Sequence, residues 1–534
     1  MSRRAITAAS FYILLTTLLI SGCTLHPDTA LAPGTHANAP NILLIVTDDQ
    51  RWDELGVVQK ERQQDARFPF LQTPNLDSLA EQGIRFRNAF VTTSLCSPSR
   101  SSILTGQYVH AHGVMDNQTP FSAKPTWATA LQESGYTTAY FGKWHHGGQR
   151  TRPGFDYFAT FVGQGNYNDT PFLLSGEPKR ITTKGYVDER SVDFLIDYLE
   201  IPKDEPFAAV LGLKGVHQPF TAMEQHIGGY SDNKISTPPN RTTIPPWSNF
   251  NETPPKSFGD RPMWNTILDA VRSVDTNVGQ VLDALDALDL SDNTVVIFTS
   301  DNGYYLGEHT LGDKRSAYDE SIRVPMIVRY PGVIPAGIIS DALVLNIDIA
   351  PTIIGLTGTA IPREIHGSNL QPLLAAPNAP WRDAFLYEHW QLPYNEKKLP
   401  EGKPRSLGVL NILGTPTILA LRTEQHKLVT YPGNPGYTEL FNLSADPYET
   451  TNLFLAENYS TLRANLCRRL HEFLVETEYS YSAPIQKWLT ESEFSDKKNT
   501  RYDDYSPAQE PPLFACDGDP LSGSNNTTPF TPLR

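Results

Sequence analysis

The sequence predicts an α/β protein, and three observations carry that prediction. The chain has 534 residues, enough for one large domain or two to three ordinary ones. Two uninterrupted apolar runs, Ile42-Leu43-Leu44-Ile45-Val46 and Thr294-Val295-Val296-Ile297-Phe298-Thr299, have the form of strands buried on both faces of a parallel sheet. Each closes on oxygen-bearing side chains, Asp48-Asp49 and Ser300-Asp301-Asn302, at the strand edge where open α/β sheets bind ligands. Strand-like and helix-like segments alternate around them, the pattern of a doubly wound domain.

The remaining elements follow in order. Thr73–Ala80 reads as a capped helix, and Thr137–Phe141 and Phe207–Leu213 read as short strands. Residues 231–262 are Pro-rich and read as a long loop. Over 264–290, Val271, Val274, Val278, Val281, Leu282, Leu285 and Leu288 recur at helical spacing. Together these define an α/β domain over 40–380. Past Trp381 the texture changes: Leu419–Tyr431 and Thr438–Asn442 alternate like antiparallel strands, and a helix is expected at 456–476. Residues 381–499 are therefore expected to form a smaller α+β subdomain, and 500–534 a Pro/Ser/Asn-rich tail.

Composition excludes several classes of function. Hydrophobic residues at 39 %, aromatics at 10 % and charged residues at 19 % describe a folded body, neither disordered nor polytopic in a membrane. Lys and Arg number 44 against 59 Asp and Glu, a formal charge of −15, which argues against nucleic acid as a partner. An anionic substrate would need positive charge focused locally against that background.

Residues 1–22 read as a processing signal: Arg3 and Arg4 precede an apolar stretch, Phe11–Ile20, half the roughly 20 residues that span a bilayer. Ile20-Ser21-Gly22-Cys23 then resembles a bacterial lipobox, with Cys23 lipidated; the alternative is an ordinary secretory cut near Gly22. On the first reading, residues 23–39 are a tether, and the protein is an exported lipoprotein at the outer membrane, cell surface or periplasm, held by its lipid alone.

Asp48, Asp49, Asp301 and Asn302 offer three carboxylates and an amide oxygen, a hard donor set that suits Ca²⁺ or, in a tighter octahedron, Mg²⁺. Either pair alone is common turn punctuation. Two such pairs, each ending an apolar strand, point to one cation site.

The most specific segment is Cys96-Ser97-Pro98-Ser99-Arg100-Ser101-Ser102-Ile103-Leu104-Thr105-Gly106. It resembles the signature of the type I sulfatases, C-x-P-S-R followed by L-T-G, with no departure at the fixed positions. The resemblance extends over nearly the whole mature chain. Asp48-Asp49, Gly142-Lys143-Trp144-His145, Val216-His217-Gln218-Pro219, Asp301-Asn302 and Asp313-Lys314 follow in the family's order. Glu439-Leu440-Phe441-Asn442-Leu443, with Asp446-Pro447, Glu449 and Asn452-Leu453, resembles its closing motif.

The resemblance implies an alkaline-phosphatase-like mixed sheet flanked by helices. It also implies that a formylglycine-generating enzyme oxidises Cys96 to an aldehyde whose hydrate is the nucleophile. Asp48, Asp49, Asp301, Asn302 and the modified Cys96 would hold one cation, usually Ca²⁺. Arg100 would stabilise the hydrated aldehyde, Lys143 would contact diol and sulfate, and Lys314 and His217 would hold sulfate oxygens. His217 would protonate the leaving alcohol, and His145 would accept the proton that lets sulfate leave. With Cys23 and Cys96 so assigned, Cys467 and Cys516 remain as the pair an oxidising compartment would join. His146 could face a substrate subsite, His309 is as open to a structural role as to a functional one, and Trp52 either stacks on a sugar or covers the core.

The run from Asp313-Lys314-Arg315 to Ile322-Arg323-Val324-Pro325 is most similar to the branch with N-acetylglucosamine-6-sulfatases and related bacterial polysaccharide sulfatases. That implies a sulfated glycan substrate. The alternatives are a phosphodiester or phosphonate monoester hydrolase of the same superfamily, and a glycan-binding lipoprotein whose Cys96 is never modified.

Overall fold

Water is excluded from both faces of the apolar run after Asn41, so it becomes an inner strand. The computed structural model describes residues 39–117, 119–121, 125–146, 151–248, 261–391 and 415–480. The expected signal, Cys23, nearly all of the tether, Cys516 and the tail lie outside the described residues. In chain order the strands are β1 (Asn41–Thr47), β2 (Ile84–Phe90), β3 (Thr137–Lys143), β4 (Tyr157–Phe161), β5 (Pro171–Leu174), β6 (Ile181–Thr182), β7 (Phe207–Gly212) and β8 (Thr294–Ser300). They continue with β9 (Tyr305–Leu306), β10 (Gly312–Asp313), β11 (Met326–Arg329), β12 (Ile338–Leu345), β13 (Ala384–His389), β14 (Ile418–Thr423), β15 (His426–Thr430) and β16 (Glu439–Asn442).

Ten of them form the main sheet in the order β12-β2-β11-β8-β1-β7-β3-β4-β5-β6. β1 is central and parallel to β7 and β8, while β11 runs antiparallel between β8 and β2, so the sheet is mixed. Successive side chains of β1 serve opposite faces. Ile42, Leu44 and Val46 join one core with Trp127, Leu131 and Ile353; Leu43 and Ile45 join another with Val271, Val274 and Val278 of the long helix Arg261–Ala287. No helix among the described residues is long and apolar enough to cross a membrane.

Local structure refines several expectations. The helix Pro74–Glu81 follows Thr73 as expected, but the Thr73 side chain does not cap it. The cap comes from the long helix, where the Asp275 carboxylate accepts from the Leu76 amide at 2.8 Å. Leu419–Tyr431 is a hairpin, β14 and β15, rather than one strand, and β16 completes it. β13 has no polar alternation, every residue being buried, and so escaped the period-2 reading. The last helix runs Ser460–Glu476, and its Cys467 is disulfide-bonded. The partner expected from the sequence, Cys516, is outside the described residues.

His110, on the short helix Val109–His112, ties the two sheets together. Its Nδ1 lies 3.2 Å from both oxygens of Glu388 on β13, and its Nε2 lies 2.9 Å from the carbonyl of Thr477 beyond the last helix. Both partners are acceptors, so the ring carries both protons. Burial lowers its proton affinity, but Glu388 outweighs burial and holds it above the usual 6.5. A raised folded value means the pair's contribution is complete below 6.5 and is lost as pH rises through that folded value. His110→Gln should therefore cost about 3 kcal/mol in acid, and progressively less as pH rises. Urea unfolding at a series of pH values reads this, and a difference that grows with pH would refute it.

Candidate active site

The register of two neighbouring strands builds the centre. Thr47 of β1 pairs with Ser300 of β8, so the residues that follow, Asp48-Asp49 and Asp301-Asn302, emerge side by side. The chain turns at Asp49, which takes a left-handed φ of 65° and whose amide donates a hydrogen bond to Asp301 Oδ1 at 3.3 Å. All four side chains are buried.

The signature segment is the helix Cys96–Thr105, buried at every position and closed by Gly106 at φ 68°. Its serines are tolerated there because their hydroxyls find partners. Ser97 donates to the carbonyl of His145, Ser99 accepts from Asn346 at 3.0 Å, and Ser102 bonds His112 at 3.0 Å. The Ser97 amide in the first turn donates to Asn117 Oδ1 at 3.0 Å. The helix therefore delivers Cys96 at its first residue and Arg100 one turn later on the same face.

Arg100 Nε donates to Asp301 Oδ2 at 2.7 Å and its Nη1 to the carbonyl of Lys143 at 2.9 Å. Lys143, the last residue of β3, places its ammonium on Asp48 and 2.6 Å from Gln164 Oε1. Gly142 before it sits at φ 84°, where an added Cβ would meet the Gly212 carbonyl of β7 at 2.1 Å, so only glycine permits that approach. Lys314 binds Asp49 and lies 3.4 Å from Cys96 Sγ, which also lies 3.4 Å from Asp48 Oδ1. His217 Nε2 stands 3.9 Å from Asp49 Oδ2, while its Nδ1 donates to the carbonyl of Gln218 at 2.7 Å.

Ligand atoms of Asp48, Asp49, Cys96 and Asp301 all lie within 4.8 Å of one another. Asp49 Oδ2 and Asn302 Oδ1 are buried with no hydrogen-bond partner. Unpaired buried oxygens are costly, and a cation that takes oxygen ligands would satisfy both, so the residues fit a hard divalent ion.

Electrostatics sorts the protons. Burial pushes Asp48 up, but Lys143, His217, Lys314 and Arg100 together hold it well below the carboxylate range. Burial and the charge of Asp48 raise Asp301 to about 6 despite Arg100. Burial, again with Asp48, pushes the Cys96 thiol up to about 12. Burial and the nearby Lys143 ammonium keep His145 neutral, well below its ordinary value, and its buried Nδ1 has no partner. Burial brings His217 down to about 3. Burial opposes charge on Lys314, yet Asp49 and Cys96 hold its ammonium well above the ordinary value.

All the expected site residues thus converge: Asp48, Asp49, Cys96, Arg100, Lys143, His145, His217, Asp301, Asn302 and Lys314. Three others are placed differently from the sequence expectation or decided by it. His146 does not face a subsite; it is buried against Phe121 and Trp144, with ring centroids at 5.0 and 4.8 Å. His309 is structural, stacked on Tyr318 at 3.8 Å and bonded to Asn240 at 3.0 Å. Trp52 is partly buried against the core, with the guanidiniums of Arg323 and Arg62 3.9 and 5.1 Å from its ring centroid. Sequence reasoning missed Gln164 and the capping role of Asn117.

Fold and site define an alkaline-phosphatase-like hydrolase of sulfuric esters. The sulfatase family profile matches residues 40–359, and the chain belongs to the sulfatase family. It is 28 % identical to an N-acetylglucosamine-6-O-sulfatase of Bacteroides thetaiotaomicron, covering 84 % of this chain and 88 % of that protein. It is 30 % identical to an ulvan-active sulfatase of Formosa agariphila, covering 82 % and 81 %. A solved structure in complex with its substrate D-glucosamine-2-N,6-O-disulfate superposes with a TM-score of 0.71 at 27 % identity, covering 82 % of this chain and 98 % of that one.

Arg100 and Asp301 form a pair shut off from water, at 3 % and 0 % side-chain exposure. Asp301→Ala leaves the guanidinium uncompensated and should cost about 3–5 kcal/mol. Thermal melting of the variant checks this; a melting point equal to that of the parent would mean the pair is not buried as described.

Proposed function

We propose that this sulfatase removes sulfate from a carbohydrate, with Cys96 converted to formylglycine and one Ca²⁺ held by Asp48, Asp49, Asp301 and Asn302. The observation that carries the reading is the convergence of Arg100, Lys143, Lys314 and two neutral imidazoles on one buried cysteine beside two unpaired oxygens. Two relatives named for N-acetylglucosamine and ulvan, and a solved structure in complex with a glucosamine disulfate, support a glycan as the class of substrate. The same reading takes the protein to be exported as a lipoprotein through Cys23, matured by a formylglycine-generating enzyme and free of nucleic acid.

When bound, the cation polarises sulfuryl oxygens, and the hydrated aldehyde provides an oxygen nucleophile with a second hydroxyl through which sulfate can be expelled. The chain's own residues do the rest. Arg100 is locked by Asp301 and by the Lys143 carbonyl, so its charge needs no reorganisation during reaction. Lys143 and Lys314 flank Cys96 as fixed ammonium groups that clamp the sulfate oxygens. The Nδ1–H of His217 is committed to Gln218, which leaves Nε2 facing the site. An anionic ester bound there raises its proton affinity, so Nε2 takes up a proton from solvent as the ester binds and gives it to the leaving alkoxide. His145, held neutral with a free Nδ1, is the base that accepts the hydroxyl proton when sulfate departs.

Peptide mass analysis of the protein from its own host should show the Cys96 peptide lighter by about 18 Da, the change from thiol to aldehyde at the nucleophile. Such protein should hydrolyse an aryl sulfate faster than the matching phosphodiester; the reverse order would favour the phosphodiesterase reading, and an unmodified Cys96 the binding-protein reading. Dialysis against EDTA should abolish turnover and lower the melting temperature, since a cation that binds only the folded state stabilises it. Ca²⁺ should restore both better than Mg²⁺. Full activity after chelation would remove the cation from the scheme.

A further inference from the structure

A second basic pocket opens three residues beyond the cation-binding turn. It has a volume of about 140 Å³ and lies between the helix Gly56–Arg62, β2 and the start of β11. Its floor is apolar, with Leu55, Val58 and Phe86 buried, and its walls carry Arg62, Arg85, Arg87 and Arg323. Only Glu61 among the lining residues is acidic, and it is shared by Arg85 and Arg87. Asp341 takes a further bond from Arg87 at 3.0 Å. The other two guanidiniums have partners that bring no charge. Arg323 donates from Nε to the Arg87 carbonyl at 3.0 Å and covers one part of the Trp52 ring at 3.9 Å. Arg62 donates to the Asp65 carbonyl at 3.2 Å and lies 5.1 Å from the same ring. In direct ion pairs the four guanidiniums meet two carboxylates, Glu61 and Asp341, while Asp319 and Asp53 act on Arg323 from farther off, in a chain whose overall charge is −15.

Burial, with Arg422 and Arg62 adding to it, lowers Arg323 to about 10 despite Asp319. Asp319 itself is taken up by Lys427 at 2.6 Å and Arg422 at 3.3 Å. A planar donor array over an apolar floor suits an oxyanion such as a sulfo group, which forked guanidiniums bind by paired hydrogen bonds. The chain from Asp49 to Trp52 spans at most about 11 Å, so the pocket lies within reach of a polymer whose ester is at the reaction centre.

We propose that this pocket is a second anion subsite, which takes a sulfo group on another residue of the same glycan chain while the scissile ester occupies the Cys96 site. The subsite rests on the sulfated-glycan reading and adds to it a preference for multiply charged chains over singly sulfated ones.

Isothermal titration of the full-length Cys96→Ala protein, which cannot consume its ligand, tests the subsite with a heparin hexasaccharide and with sodium sulfate. Arg62→Ala combined with Arg87→Ala, two half-exposed residues outside the reaction centre, should weaken hexasaccharide binding about tenfold or more. Arg62→Lys should lose less, and high salt should narrow the difference. In otherwise native protein the double substitution should leave turnover of a small aryl sulfate unchanged. Equal hexasaccharide affinity with and without the two arginines overturns the proposal. Loss of sodium sulfate binding alone, with the hexasaccharide unaffected, makes the pocket a free-ion site and also overturns it. If the native protein hydrolyses no sulfate ester while the hexasaccharide effect holds, the enzymatic reading fails and the subsite stands.

Discussion

The site is arranged around one electrostatic constraint: three buried carboxylates, Asp48, Asp49 and Asp301, crowded at the ends of two adjacent strands. Taking one ion out of water costs several kcal/mol, and like charges at this spacing add to that. The burden shows in the raised Asp49 and Asp301, where burial is the largest contribution. Arg100, Lys143 and Lys314 each meet one of the three, so side-chain charge nearly balances. A divalent cation in the same cradle would tip the centre positive. A chain of −15 can then attract an anionic ester at one point, because a local field in a low-dielectric pocket outweighs a distant, screened surface charge.

The three cations come from different parts of the fold, which explains why so much of the chain serves one small centre. Arg100 rides on the signature helix, and Lys143 ends β3. Lys314 sits on the least regular segment of the three, and the second sheet holds that segment. Buried Lys427 on β15 donates to the Ala317 carbonyl at 2.7 Å and to Asp319 at 2.6 Å. Glu449 accepts from the Asp319 amide at 2.9 Å, and Glu439 accepts from the hydroxyls of Tyr318 and Tyr431. The glutamates of the C-terminal motif are thus positioning residues for the lysine loop rather than groups that touch substrate. The small subdomain thus holds the segment that carries Lys314, with the His110–Glu388 pair as a further tie to it.

Legibility followed locality. β1 and β8 were readable because burial on both faces forces a continuous apolar run, and Asp48 and Asp301 because they end such runs. The long helix showed its spacing, with Val271, Val274 and Val278 all buried. What escaped depends on contacts across the chain. The cap on the helix after Thr73 comes from Asp275, 199 residues beyond the amide it binds at Leu76, and no local signal marks it. Gln164 reaches Lys143 from a loop without regular structure. β13 hides as an ordinary mixed run, since both of its faces are covered. His146 misled because it adjoins His145 in sequence. A left-handed φ of 59° at His145 sends the two side chains to different environments, one to the reaction centre and one into an aromatic cluster.

The same constraint separates binding from turnover. Burial and Asp48 push the Cys96 thiol to about 12, so as a plain cysteine it would remain protonated at neutral pH and would be a poor nucleophile. None of the groups that would grip a sulfate ester depends on that thiol's reactivity: the lysines, Arg100 and the cation ligands are set by strand register and by one another. An unmodified chain would therefore keep an anion-binding centre and lack only the step that breaks the ester. If Cys96 is converted as proposed, an active enzyme and an inert glycan-binding protein would be two states of a single site, separated by oxidation of one side chain. A helix start so crowded with fixed charge suits an aldehyde hydrate. Its oxygen is a better match than a thiolate for a hard cation and for the ammonium groups on either side.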